Sequence, residues 1–253
     1  MNSLSRLLLG ILGALTVAGG DAPGSSAVTE GQALAAELRS SRPVQNLEVQ
    51  GVIRRRDAQG RRTRVPFRYQ VVVGPREWRG IYEIDGTEAC PAEKLVVVHA
   101  DGQPTRYLLH RADPQKALAP EPALLTGDQA MIPFAKSDFW LADLGLEFVH
   151  WPEHRIVEDS KIKRRKGRVC RILESVNPAR DAKGYTRVRS WIDNDTGKPI
   201  LAEAYDADGR LVKEFEIGGL TKVNDRWELK DLEMRDGRTD SQTVLEFRYE
   251  VRE

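Results

Sequence analysis

From Arg168 to Glu253 the chain alternates apolar and polar residues in short runs separated by turn residues. Val169–Leu173, Tyr185–Ile192, Ile200–Tyr205 and Trp227–Met234 read as strands, and Leu211–Ile217 and Leu245–Val251 have the period of two that puts one set of side chains on one face. Asp193-Asn194-Asp195-Thr196-Gly197 and Asp206-Ala207-Asp208-Gly209 supply turns. The same period runs from Val44 to Ile53, Val65 to Val73 and Trp78 to Ile84, and Leu95 to His99 with Arg106 to His110 gives a further hairpin. Sequential strands with tight turns and no intervening helices predict an antiparallel meander. About ten such strands exceed what a small flat sheet holds, so a strongly curved antiparallel sheet is expected.

Three segments depart from this period. Asp21–Val28 reads as a linker, and Thr29-x-x-Gln32 has the form of a capping box opening a helix that Pro43 stops. Ala112–Asp138 is rich in Pro and Ala and reads as loop with short helical turns. Ser137-Asp138 then caps a short, very apolar helix, Phe139–Leu144, that Gly145 ends. The predicted class is α+β and β-rich, with the helices covering the concave face of the sheet because their apolar faces must be buried.

The N-terminus predicts the compartment. Arg6 precedes an apolar run from Leu7 to Ala18, and small residues follow. That is the layout of a secretory signal peptide, residues 1–22, too short to span a bilayer and leaving one domain, 23–253. Cleavage after Gly20 and after Ala22 both fit. The mature chain is expected in the periplasm, where Cys90 and Cys170 could form a disulfide or stay as small buried hydrophobes.

Candidate chemistry is sparse. His150-Trp151-Pro152-Glu153-His154 has the letters of a zinc motif, but Pro152 denies it the helix that would align both imidazoles. The acidic turn at Asp193 begins like a calcium loop without a closing Glu. No nucleophile elbow or phosphate loop occurs, so binding is expected rather than catalysis, with no cofactor and no metal. The formal net charge of +1 steers the chain to no particular partner, yet Arg54-Arg55-Arg56, Arg61-Arg62-x-Arg64 and the Lys161–Arg168 run sit at hairpin tips. Those tips are either contacts for an anionic membrane surface or acidic partner, or solvated turn ends that protect strand edges. Export argues against nucleic acid.

Lys136–Leu144 resembles the helical segment of bacterial outer-membrane lipoprotein-sorting proteins, the LolA-like family. Ser190-Trp191-Ile192-Asp193, Gly197-Lys198-Pro199, Ala202–Asp206, Asp208-Gly209, Phe215 and Lys222–Trp227 resemble the family's strand and turn pattern. The resemblance implies an eleven-stranded open barrel with a helical lid and a cavity for acyl chains. It also implies a carrier that takes lipoproteins from an inner-membrane exporter to an outer-membrane acceptor. The long Pro/Ala-rich segment and the basic tips depart from the pattern. Acylated lipoprotein or lipid is the expected cargo. Strand parity and the lid segment nominate Phe67, Tyr69, Val71, Trp78, Tyr82, Phe139, Trp140, Leu144 and Trp191 as lipid-binding residues, around a gap beneath Phe139-Trp140. A sensor of similar fold that docks a membrane partner is the alternative, and a hydrolase with an unrecognised site a third reading.

Overall fold

The computed structural model describes residues 23–88, 90–112, 121–157, 163–177, 179, 184–223 and 226–249. The predicted signal peptide, residues 113–120 of the Pro-rich segment and the turn at Asn224 lie outside the described residues.

One antiparallel sheet dominates the chain. Its N-terminal wing comprises β1 (Leu47–Arg56), β2 (Arg62–Val73), β3 (Glu77–Ile84), β4 (Glu93–Ala100), β5 (Arg106–Arg111) and β6 (Ala123–Leu125). Its C-terminal wing comprises β7 (Glu153–Ile156), β8 (Lys163–Arg165), β9 (Arg168–Val176), β10 (Arg187–Asp193), β11 (Pro199–Tyr205), β12 (Leu211–Val223), β13 (Arg226–Asp236) and β14 (Ser241–Arg248). The order is β6-β5-β4-β3-β2-β1-β14-β13-β12-β11-β10-β9-β7, with β8 paired to β9. The last strand therefore closes on the first, and β6 and β7 are free edges. All eleven strands of the sequence pattern are present. The three additional ones are short: Ala123–Leu125, Glu153–Ile156 and Lys163–Arg165.

Register fixes which side chains face inward. Val49, Tyr69, Tyr82, Leu95 and Leu109 stand side by side across five strands. Leu173, Ser190, Ala202, Phe215, Met234 and Thr243 do the same across the other wing. Residues of both rows are buried, and one apolar cluster joins the two wings.

A strap, residues 126–152, runs from the β6 edge to the β7 edge across the concave side. Its one α-helix is α2 (Leu141–Leu144), shorter than the Phe139–Leu144 expected. Trp140, not Asp138, is the N-cap residue, and its amide donates to Asp143 Oδ2 at 2.7 Å. Asp138 is instead drawn to the sheet, where Thr243 Oγ1 donates to its Oδ2 at 2.7 Å and Ser241 Oγ donates to its Oδ1.

The first helix, α1 (Pro23–Ser40), starts inside the expected linker. Thr29 and Gln32 are thus interior residues rather than a capping box, and Gln32 Nε2 donates to Pro152 O at 2.8 Å. Leu34 and Ala35 of α1 pack on Leu173 and Ile192, so this helix covers the inner face at the β9–β10 end. Gly31 allows the approach, since a Cβ there would lie 2.4 Å from Arg155 Cα in β7. Cys90 and Cys170 are free and buried, and they belong to opposite wings.

Candidate functional site

The strap is held by charged groups out of water. Lys213, on the inner face of β12, is 1% exposed. Its Nζ donates to Asp143 Oδ2 at 2.9 Å and to Asp138 O at 2.7 Å, and it lies 3.6 Å from the centre of the Trp140 ring. Burial holds the Lys213 ammonium below the usual lysine range, against the pull of Asp143. Tyr185 Oη donates to Asp143 Oδ1 at 2.7 Å, and the Tyr185 ring stacks on Trp140 at 5.5 Å. Further along, Tyr107 Oη donates to Glu147 Oε2 at 2.9 Å, and burial raises the Glu147 carboxyl. At the other end Glu93 accepts from Arg111 Nε at 2.8 Å and from the Ala135 amide at 2.9 Å. Each contact satisfies a polar group that would be costly to bury alone, so the strap is a tied element of the core rather than a loose flap.

This arrangement moves the expected gap. Phe139 is 0% exposed and packs edge-on to Phe215 at 6.2 Å, and Trp140 is clamped between Lys213 and Tyr185. A gap of about 20 Å³ lies beside Phe148, Tyr185 and Met234. The open volume lies past the end of α2, between the strap and β11–β13. It measures about 920 Å³. Leu144 and Leu146 form its strap side, and Ile200, Phe215, Ile217 and Leu232 its sheet side. Leu220, Leu229 and Trp227 extend the apolar wall toward solvent, where Trp227 is 69% exposed. Lys166, Arg168 and Lys198 stand on the same wall. Lys166 Nζ donates to Ile217 O at 2.7 Å, which draws the β8–β9 tip against β12 where its ladder is broken near Gly219. A second hollow of about 340 Å³ shares Leu144, Leu146, Lys198 and Pro199 with the first and continues toward Trp78, His99 and His150.

The nominated residues divide accordingly. Tyr82 and Leu144 line the main cavity, and Trp78 lines the second hollow, stacked on His99 at 4.0 Å. Phe67, Tyr69 and Val71 face inward but are packed. Phe67 meets Phe247 at 5.5 Å, and Tyr69 meets Tyr82 at 4.6 Å. Burial pushes the Tyr69 phenol up to about 12. Phe139 and Trp140 are core and line neither hollow. Trp191 is a correction: its register partners, Ile172 and Leu201, place it on the face opposite to Ser190 and Ile192. There it lies under the Arg165 guanidinium, 6.0 Å from the ring centre. Of the wall residues missed by the nomination, Phe215 and Ile217 carry the same alternation as those chosen, whereas Leu229 and Leu232, three positions apart, do not.

The two motif-like segments are structural. His150 ends a short 3-10 turn and His154 lies in β7, His150 Nε2 pairing with Thr105 Oγ1 at 3.0 Å and His154 Nδ1 with Ser175 Oγ at 3.0 Å. Asp193 anchors the β10–β11 turn, accepting from Thr196 Oγ1 at 2.7 Å and Arg168 Nη1 at 2.6 Å.

A family model described only as that of an uncharacterized protein matches residues 121–251, just over half of the chain. The chain belongs to that family, and its fold is LolA-like. A DUF1329 family protein from Desulfovibrio piger superposes with a TM-score of 0.69 at 19% identity, over 88% of this chain and 91% of that one. A domain from Vibrio parahaemolyticus, provisionally named for outer-membrane lipoprotein sorting, gives 0.69 at 17% identity over 88% and 92%. A LolA superfamily protein from Nitrosomonas europaea gives 0.55 at 15% over 91% and 94%. No curated protein sequence matches the chain. At these identities the likeness concerns the LolA-like half-barrel itself, and the site must be argued from its own geometry.

Proposed function

We propose that the protein is a periplasmic carrier that shelters acyl chains, of a lipoprotein or a lipid, in the cavity between strap and sheet. The observation that carries this reading is the cavity of about 920 Å³ with Leu144, Ile200, Phe215, Ile217 and Leu232 around it. A soluble fold of this size ordinarily fills such an apolar interior, and one left open is the usual form of a small-molecule site. Water in the liquid occupies about 30 Å³ per molecule and a methylene is of similar bulk, so the space holds on the order of thirty methylenes. Roughly ten of them moved out of water contribute about 8 kcal/mol, which before ordering costs corresponds to micromolar affinity.

The lining supports binding over chemistry. Asp143 is the carboxylate on the cavity wall, and its two oxygens are engaged by Lys213, Tyr185 and the Trp140 amide. The signal-peptide pattern of residues 1–22 supports export. In sorting, the carrier would receive cargo from an inner-membrane exporter and pass it to an outer-membrane acceptor.

Displacement of a fluorescent fatty-acid analogue from the purified mature chain tests the reading. Leu232→Trp puts an indole into the cavity and is expected to weaken binding at least ten-fold while the thermal midpoint holds. Unchanged affinity in that variant, or no binding by the parent, contradicts the proposal.

A further inference from the structure

The outer face of the β1–β2 hairpin carries a cluster of arginines that the cavity does not use. Register sets Arg54 directly opposite Arg64 and Arg56 directly opposite Arg62. Residues so paired have Cβ atoms about 5 Å apart on the same face, and like charges there destabilise the sheet. Arg248, on the neighbouring β14, joins them across Gln50. All five are exposed. Counter-charge is scarce: Glu246 serves both Arg54, at 3.1 Å, and Arg248, at 3.4 Å. Arg56, Arg62 and Arg64 meet no carboxylate among the described residues. Two shallow grooves, of about 460 Å³ and 330 Å³, run between these side chains, and Arg54 and Arg64 border both.

We infer that this face docks the protein onto an anionic phospholipid surface through its phosphate groups. The cations of the cluster are all arginine, whose planar guanidinium binds phosphate oxygens in pairs. The exposed large apolar residues, Trp227 and Leu220 among them, lie outside the patch, so it lacks the anchors on which protein interfaces depend. Attraction to a dense negative surface needs neither anchors nor close shape complementarity. The same register puts Arg54, Arg56, Arg62 and Arg64 toward the opposite end of the sheet from the Leu220–Trp227 wall, with Arg248 alone nearer to it, so docking through the hairpin leaves the cavity mouth uncovered. The patch acts whether or not the cavity takes lipid, and the two readings fail separately.

Flotation of the mature chain with vesicles decides the matter. Vesicles of phosphatidylcholine with phosphatidylglycerol are expected to retain it, and phosphatidylcholine alone is not. Molar salt, which shortens the screening length to about 3 Å, is expected to release it. Each arginine removed is expected to lower partitioning about five-fold, the equivalent of about 1 kcal/mol. The variant Arg56→Gln, Arg62→Gln, Arg64→Gln is thus expected to bind about a hundred-fold more weakly. Its thermal midpoint is expected to equal or exceed the parent's, because opposed charges are relieved, which shows that it folds. Equal binding to neutral vesicles, or unchanged binding by the triple variant, overturns the inference. So does retention by immobilised poly-glutamate without any by the anionic vesicles, which would point to an acidic protein instead.

Discussion

Replacing Lys213 with Met removes the charge that ties the strap to β12. The methionine keeps the length and apolar bulk of the side chain, so the loss is electrostatic. At the observed 2.9 Å separation the Lys213–Asp143 attraction is about 6 kcal/mol at an effective dielectric of about 20. Desolvation of both groups, which are 1% and 8% exposed, cancels much of that in the intact pair. It does not cancel in the variant, where Asp143 stays buried with Tyr185 and the Trp140 amide as its remaining partners. Breaking such a pair costs about 3–5 kcal/mol, a large share of a typical domain stability of about 5–15 kcal/mol. Urea unfolding followed by tryptophan fluorescence reads the change directly. Lys213→Met and Asp143→Asn are each expected to lose about 3 kcal/mol or more, and the double variant to lose much less than their sum. A loss under about 1 kcal/mol for Lys213→Met, or additive losses in the double variant, would refute the idea that this pair anchors the strap.

Acid is expected to weaken the fold near the second hollow. Burial holds His99 and His150 at about 4, each lowered further by a nearby cation, His150 acting on His99 and Arg39 on His150. Both are neutral in the folded and unfolded chain above about pH 6.5. Between there and about pH 4 the unfolded chain takes up protons that the folded one refuses, so stability falls with pH across that window. Urea midpoints from pH 7 to 4.5 should show the decline, and a flat profile, or one unchanged in a His99→Gln, His150→Gln variant, contradicts it. Gly31→Ala should cost about 1–3 kcal/mol, because its methyl would meet the Arg155 backbone at 2.4 Å; a thermal midpoint equal to the parent's argues against the close α1–β7 contact. Cys90 and Cys170, free, buried and with thiols raised by burial, should resist alkylation in the folded chain and gain two labels under denaturant without reductant. A protected mass in denaturant would show a disulfide instead.

The meander was readable because strand-like runs, several with a clear period of two, alternate with turn residues, and the pairing of β14 with β1 simply completes it. The short strands were not. Lys163–Arg165 is a run of cations, and Ala123–Leu125 and Glu153–Ile156 are too brief for alternation to register. Pro23, Gly24 and Ser25 have poor helix propensity, yet α1 begins there. Register turns Phe67, Tyr69, Val71, Trp78 and Tyr82 to the inner face, whereas β10 sets Ser190 inward and the Trp191 indole outward. Alternation identifies a face but not how deeply the face is packed. Phe139 and Trp140 looked like a flap over a void because they are large and apolar, whereas the buried ties of Asp138, Asp143 and Lys213 make them core. The void lies where β12 breaks its ladder near two glycines, Gly218 and Gly219, a feature without hydrophobic period.

Native mass spectrometry of the protein isolated gently from its own cell envelope tests the central claim most directly. Adducts whose masses match acylated molecules, present in the parent and depleted in Leu232→Trp, are the predicted result. A folded parent that carries no acyl adduct, and takes up none when offered lipid, would show that the hollow beside Leu144 and Leu232 does not serve as a lipid site.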